Sequence, residues 1–211
     1  FRTMPRNAAF HPHLILGAAS RLAARDGPSA ATIARIASEL GAPTGSIYHR
    51  FASRDVLLGE VWLGAAEAFQ RGFGAVLADD PPREAVLAAA LFVPARVRQR
   101  ADEARLLLLH RREDFLVGAW PDELAARARA LQRAAEGGLR EACRRLCGRG
   151  DADALRVLRF AVVDAPLAAV LPHLRAREAP PPVVDALVRA SAEAALAMLT
   201  GPQSRRRAQR R

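Results

Sequence analysis

Apolar residues recur three and four positions apart along this chain, and turn residues cut the pattern into segments. Leu14, Ile15, Ala18, Ala19, Leu22 and Ala23 form the first stripe, which Gly27-Pro28 ends. Thr32 is placed to cap a short helix through Leu40, with Ile33, Ile36, Ala37 and Leu40 on one face. Gly41 suits a left-handed stop, and Pro43-Thr44 starts another short helix ending near Phe51. Ser53 can cap the next helix, whose stripe is Leu57, Leu58, Val61, Trp62, Ala65, Phe69, Phe73 and Val76. Asp79-Asp80-Pro81-Pro82 stops it and opens a helix that Pro94 should bend. A helix near Asp102–Phe115 follows, then a long one from Pro121-Asp122 to about Cys147. Gly148-Arg149-Gly150-Asp151 closes that helix and caps one that Pro166 interrupts. Pro180-Pro181-Pro182 starts a last helix reaching Leu199, stopped by Gly201-Pro202.

The pattern predicts an all-α fold of about nine helices, three short ones followed by longer ones. No run of Val, Ile, Thr and Tyr alternates with period two, and no internal repeat is present. The expected division is a domain of short helices over 1–54, a domain of longer helices over 55–201, and a basic disordered tail over 202–211.

Composition changes this picture little. Hydrophobic residues make up 51% of the 211, mostly Ala, Leu and Val, which suit helices. The net charge of +10 favours a polyanionic partner, but five of those charges sit on Arg205, Arg206, Arg207, Arg210 and Arg211 in the tail. The charge of the folded part is therefore a modest pointer. No signal peptide and no apolar run of membrane-spanning length is present, so a cytoplasmic protein is expected, with no membrane partner.

The informative stretch is Thr32 to Phe51. Two short helices flank a turn at Gly41, the helix-turn-helix form, although a plain helical hairpin reads the same way locally. Ile47 and Phe51, four apart, should pin the second helix to the core. Its other positions are Thr44, Gly45, Ser46, Tyr48, His49 and Arg50, polar or small groups suited to base edges and phosphates. Thr32 can add its hydroxyl and neighbouring backbone N–H groups to a phosphate, and Arg54 its charge. The candidate DNA-binding set is thus Thr32, Pro43, Thr44, Gly45, Ser46, Tyr48, His49, Arg50 and Arg54.

From Ile15 to Leu58 the chain resembles the DNA-binding domain of TetR/AcrR-family transcriptional regulators. The matching positions are Ile15-Leu16, Ala18-Ala19, Gly27, Thr32, Ile36-Ala37, Gly41, Gly45, Tyr48, Phe51, Ser53, Arg54 and Leu57-Leu58, with no gap. About three quarters of the chain is similar only in helix count and length. Four positions depart from the family pattern: Ala23 for Phe, Pro43 for Ser or Thr, Arg50 for His and Arg54 for Lys. Pro43 falls just before the recognition helix, so Thr44 is expected to take over its capping.

The resemblance implies a repressor that binds a palindromic operator in double-stranded DNA as a homodimer through its last two helices. It also implies a pocket for a small, mostly apolar organic effector. Trp62, Phe69, Phe92, His110, Phe115, Trp120, Phe160 and Asp164 are the candidate pocket residues, though each aromatic could equally be core. The last helix offers Val183, Val184, Leu187, Val188, Ala192, Ala195, Leu196 and Leu199, a stripe that serves a core or a partner equally well. A same-fold DNA-binding protein without an effector, or an all-α enzyme or scaffold, are the competing readings.

Enzymatic chemistry finds no anchor. No Ser/His/Asp order, phosphate-binding Gly-rich loop or metal motif occurs, and no cofactor is implied. Arg111-Arg112-Glu113-Asp114 beside His110 reads as a solvated helix face. Cys143 and Cys147, four apart, are too few for a closed zinc site and read as small buried hydrophobes.

Overall fold

The computed structural model describes residues 11–115 and 120–201, all helix and connection among the described residues. The 202–211 tail and the first ten residues of the expected DNA-binding domain lie outside the described residues. Ten α-helices run in order: α1 Pro12–Asp26, α2 Ile33–Leu40, α3 Thr44–Tyr48, α4 Arg54–Leu77, α5 Pro82–Gln99, α6 Ala101–Leu108, α7 Asp122–Cys147, α8 Ala152–Arg159, α9 Ala165–Ala176 and α10 Pro182–Thr200. A π-turn over Phe160–Asp164 joins α8 to α9 without a break, so the described residues make nine helical rods.

Capping explains where the helices begin. The hydroxyl oxygens of Thr32 and Ser53 and the Asp151 carboxylate accept backbone N–H groups of Arg35, Val56 and Ala154 at the starts of α2, α4 and α8. Gly41 and Gly148 end α2 and α7 in the left-handed conformation that a side chain would oppose.

The structure departs from expectation at Pro166 and after α6. Pro94 lies inside α5, which continues past it to Gln99. Pro166 does not interrupt its rod. Proline has no N–H for the carbonyl four residues back, and the turn before it is widened, with Ala165 N–H donating to Phe160 O. The helix expected to reach Phe115 stops at Leu108. A 3₁₀ turn over Arg112–Asp114 replaces its end, because the Asp114 carboxylate accepts the Arg111 N–H at 2.7 Å.

Two main cores form. The first gathers Ile15, Leu22, Ile36, Ile47, Leu57 and Leu58 around α1, and it also takes in Leu106 and Phe115 from far along the chain. The second packs α5, the α8–α9 rod and α10 together through Val86, Val93, Leu158, Val170, Val188 and Leu196. Thus α6 contributes to both: Leu106 to the first, Ala104 to the second.

Candidate nucleic-acid interface and central cavity

The five residues of α3 present one buried side chain and an outer face. Ile47 is fully buried and Phe51, just beyond the helix, is 8% exposed, so these two anchor the segment against α1 and α2. Pro43, Thr44, Gly45, Tyr48, His49 and Arg50 are exposed, Tyr48 at 56%, and Ser46 is half-buried. Thr44 does not take over the capping. Pro43 itself is the N-cap, its extended backbone carries no capping side chain, and its carbonyl accepts the Ser46 N–H at 3.0 Å. The Thr44 hydroxyl is therefore left at the open end of the helix.

Gly45 is exposed, and a Cβ placed there would meet nothing within 4 Å. Glycine inside a helix costs about 1 kcal/mol relative to alanine. Nothing within the chain requires that cost, whereas close approach of another molecule would.

The arginines around α3 are differently occupied. Arg35 pairs with Asp26 at 2.5 Å and Arg21 with Glu39 at 3.0 Å. Arg54, expected at a phosphate, is turned inward. Its Nη2 donates to Pro28 O at 2.6 Å and its Nε to Ala31 O at 3.1 Å, with Asp55 alongside at 3.4 Å. It ties the α1–α2 connection to α4. Arg50 makes no ion pair among the described residues and stands exposed beside Tyr48 and His49. Thr32 is exposed, and its oxygen already accepts the Arg35 N–H, which leaves its O–H to donate outward.

Between α4, α5, α6, α7 and the α8–α9 rod lies a cavity of about 660 Å³. Its wall is mainly apolar, with Trp62, Phe69 and Phe73 on α4, Val93 and Val97 on α5 and Leu131 and Leu139 on α7. Gln70, Arg96, Arg112, Gln132, Glu136 and Arg159 supply its charged and amide groups. Arg96 is held by Glu103 through two contacts at 2.9 Å.

The eight candidate pocket residues separate. Trp62 and Phe69 line the cavity. Trp120 stands edge-on to Trp62 at 5.9 Å, and Phe92 edge-on to Phe69 at 5.5 Å, each one layer behind the wall. His110 and Phe115 are elsewhere: Phe115 is fully buried in the first core, and His110 lies edge-on to it with its ring 3.7 Å from where a Cβ on Gly27 would be. Phe160 and Asp164 face outward on the π-turn, Phe160 at 50% exposure. Sequence reading missed Phe73, Leu107, Leu131 and Leu139, ordinary apolar positions whose periodicity suits core packing as well as a cavity wall.

The thiols of Cys143 and Cys147 lie 4.0 Å apart. Burial, then the neighbouring Cys147, pushes the Cys143 thiol up to about 12, which keeps it protonated and unreactive. Among the described residues no cluster of three or more His, Cys, Asp or Glu could hold a metal ion.

Residues 15–61 match the model for bacterial regulatory proteins, tetR family, spanning α1 through the first turns of α4. The resemblance to the tetR family therefore lies in residues 15–61. The fold of most of the chain is similar to those of solved structures. PfmR of Thermus thermophilus, a TetR-family transcriptional regulator, aligns at 22% identity with a TM-score of 0.63, covering 86% of this chain and 96% of its own. FadR of Bacillus subtilis, a transcriptional regulator solved with stearoyl-CoA, aligns at 13% identity with a TM-score of 0.65 over 88% of this chain and 98% of its own. The superantigen PfiT shares the fold as well, at 24% identity and a TM-score of 0.65, covering 94% of this chain and 100% of its own. One fold thus carries different roles, and the matched helix-turn-helix segment, not the fold, points to regulation. No curated protein matches the chain by sequence. No helix among the described residues is long and apolar enough to cross a membrane.

Proposed function

We propose that this tetR-family protein is a ligand-responsive transcriptional repressor that binds a palindromic operator as a homodimer. The observation that carries the reading is the exposure of α3 within the matched segment. Ile47 and Phe51 anchor it, while Thr44, Gly45, Tyr48, His49 and Arg50 are left bare. A helix of five residues reads too few base pairs alone, and a two-fold dimer places a second copy about 34–36 Å away in the next major-groove turn.

The outer face of α10 supports the dimer. Its inner face, Val184, Val188, Ala192, Ala195, Leu196 and Leu199, is spent on the chain's own core. Val183, Leu187 and Met198 remain 59–68% exposed on the other side, with Ala190 and Ala194 between them, and the rod beside it adds Phe160. A helix apolar on two sides suits one that packs inward and against a second copy.

The cavity supports an apolar effector, and the stearoyl-CoA bound to the Bacillus subtilis relative makes a long acyl chain a reasonable model for one. Coupling follows from two helices that touch both places. On α4, Leu57, Leu58 and Val61 belong to the first core, while Trp62, Ala66 and Phe69 line the cavity. On α6, Leu106 enters the first core, while Leu107 and Leu108 line the cavity. A ligand that binds one arrangement of these helices better shifts the population toward it, and DNA shifts ligand affinity by the same factor.

The test is selection of bound duplexes from a random pool by the full chain. An enriched inverted repeat, occupied by two chains per duplex, is expected. Recovery of unenriched sequence would overturn the assignment.

A further inference from the structure

The cavity is closed on one side by α7, and α7 is held differently at its ends and in its middle. At the start, Leu124 and Ala128 are buried, and Arg127 bridges to Glu60 at 2.8 Å and Glu67 at 3.1 Å on α4. Near the end, Ala142 and Cys143 are buried, and Arg145 donates to the Ala78 and Asp79 carbonyls at 2.8 and 2.7 Å. From 129 to 141 no residue is buried. Leu131, Ala135 and Leu139, spaced four apart, line the cavity from this stretch, and only Leu139 also packs against the second core.

Gly137 and Gly138 sit in the middle of that stretch. Both are exposed, and a Cβ at either would meet nothing within 4 Å. Packing does not call for two consecutive glycines, and they weaken the helix at the place where it has least support. The facing wall is built the other way. A Cβ on Gly72 of α4 would come within 2.8 Å of the Phe92 ring, which locks Phe69, Phe73 and Phe92 into one aromatic cluster.

We infer that the middle of α7 is the gate of the cavity. The helix stays clamped by Arg127 and Arg145 and opens locally at Gly137-Gly138 to admit and release the ligand. This rests on the reading of the cavity as a ligand site, and two measurements on wild type and on Gly137→Ala keep the two claims apart, since Gly138 borders the cavity and Gly137 does not.

Amide hydrogen exchange reads opening with no ligand present. Amides around 133–141 should exchange faster than those of the clamped turns at Arg127 and Arg145. The variant should slow them about 4–5-fold, the gain in helix stability of one Gly→Ala change. Entry is read by stopped-flow energy transfer from the chain's two tryptophans to 1-anilinonaphthalene-8-sulfonate, because Trp62 lines the cavity and Trp120 backs it. Association and dissociation should both slow in the variant, with the equilibrium constant unchanged. Exchange in the middle of α7 as slow as in the turns at Arg127 and Arg145 would overturn the gate. So would slowed exchange with unaltered dye rates, and that result would leave the ligand site standing. Absence of any transfer in wild type would overturn the ligand site and the gate with it.

Discussion

Arg50 and Arg54 lie one helical turn apart in sequence and do different work. Arg54 is fixed to two backbone carbonyls across the α1–α2 connection, and Arg50 is free of ion pairs among the described residues. Arg54→Ala should therefore unfold at lower denaturant, by about 1–3 kcal/mol for the lost charged hydrogen bonds. Arg50→Ala should leave the denaturation midpoint unchanged and weaken DNA binding. Gly45→Ala separates stability from function in the opposite sense. It should stabilise the domain by about 0.5–1 kcal/mol, measured by denaturation, while lowering operator affinity because the added methyl meets the DNA. At the start of α8, Arg149 and then the Ala154 N–H hold the Asp151 carboxylate at about 2, below its usual range. Its stabilising contribution is present above the ordinary carboxylate pKa and fades as pH falls toward 2. Asp151→Ala should cost about 1 kcal/mol near neutral pH, and the difference from wild type should shrink in acid.

The helices show which parts of the structure were legible in the sequence. Thr32, Ser53 and Asp151 announce three starts, and Gly41 and Gly148 two stops, because caps are local chemistry written in adjacent residues. The anchoring of α3 by Ile47 and Phe51 was legible for the same reason: two apolar residues on an otherwise polar segment have one way to face. Long-range packing was not. Phe115 fits a ligand pocket as well as a core by composition, and only the return of the chain after α6 places it in the core around α1 and α2. Phe160 was expected inside because it is aromatic, yet the π-turn before Pro166 leaves it facing outward. Phe115→Ala should destabilise the N-terminal domain by about 3–5 kcal/mol, as cavity formation in a packed core does, although it lies more than fifty residues beyond the matched segment. Hydrogen exchange of α1 and α2 amides would register it.

At the scale of the whole molecule, three pieces are joined in one chain: an exposed α3, a cavity beneath α7, and a face of α10 left apolar toward solvent. Leu187→Glu places a charge on that face without touching the chain's own core, since Leu187 is 62% exposed. Sedimentation equilibrium should find a dimer for wild type and a monomer for this variant. The monomer should keep its helical circular dichroism while losing operator affinity. The regulatory role depends on α3 reading DNA. The decisive measurement is the affinity of wild type and Tyr48→Ala for the selected duplex, by fluorescence anisotropy at fixed salt. Tyr48 is exposed and outside both cores, so its loss should leave the denaturation midpoint unchanged and weaken binding by about tenfold or more, as removal of one good interface contact does. Equal affinity for the two proteins would contradict the assignment of α3 as the recognition helix.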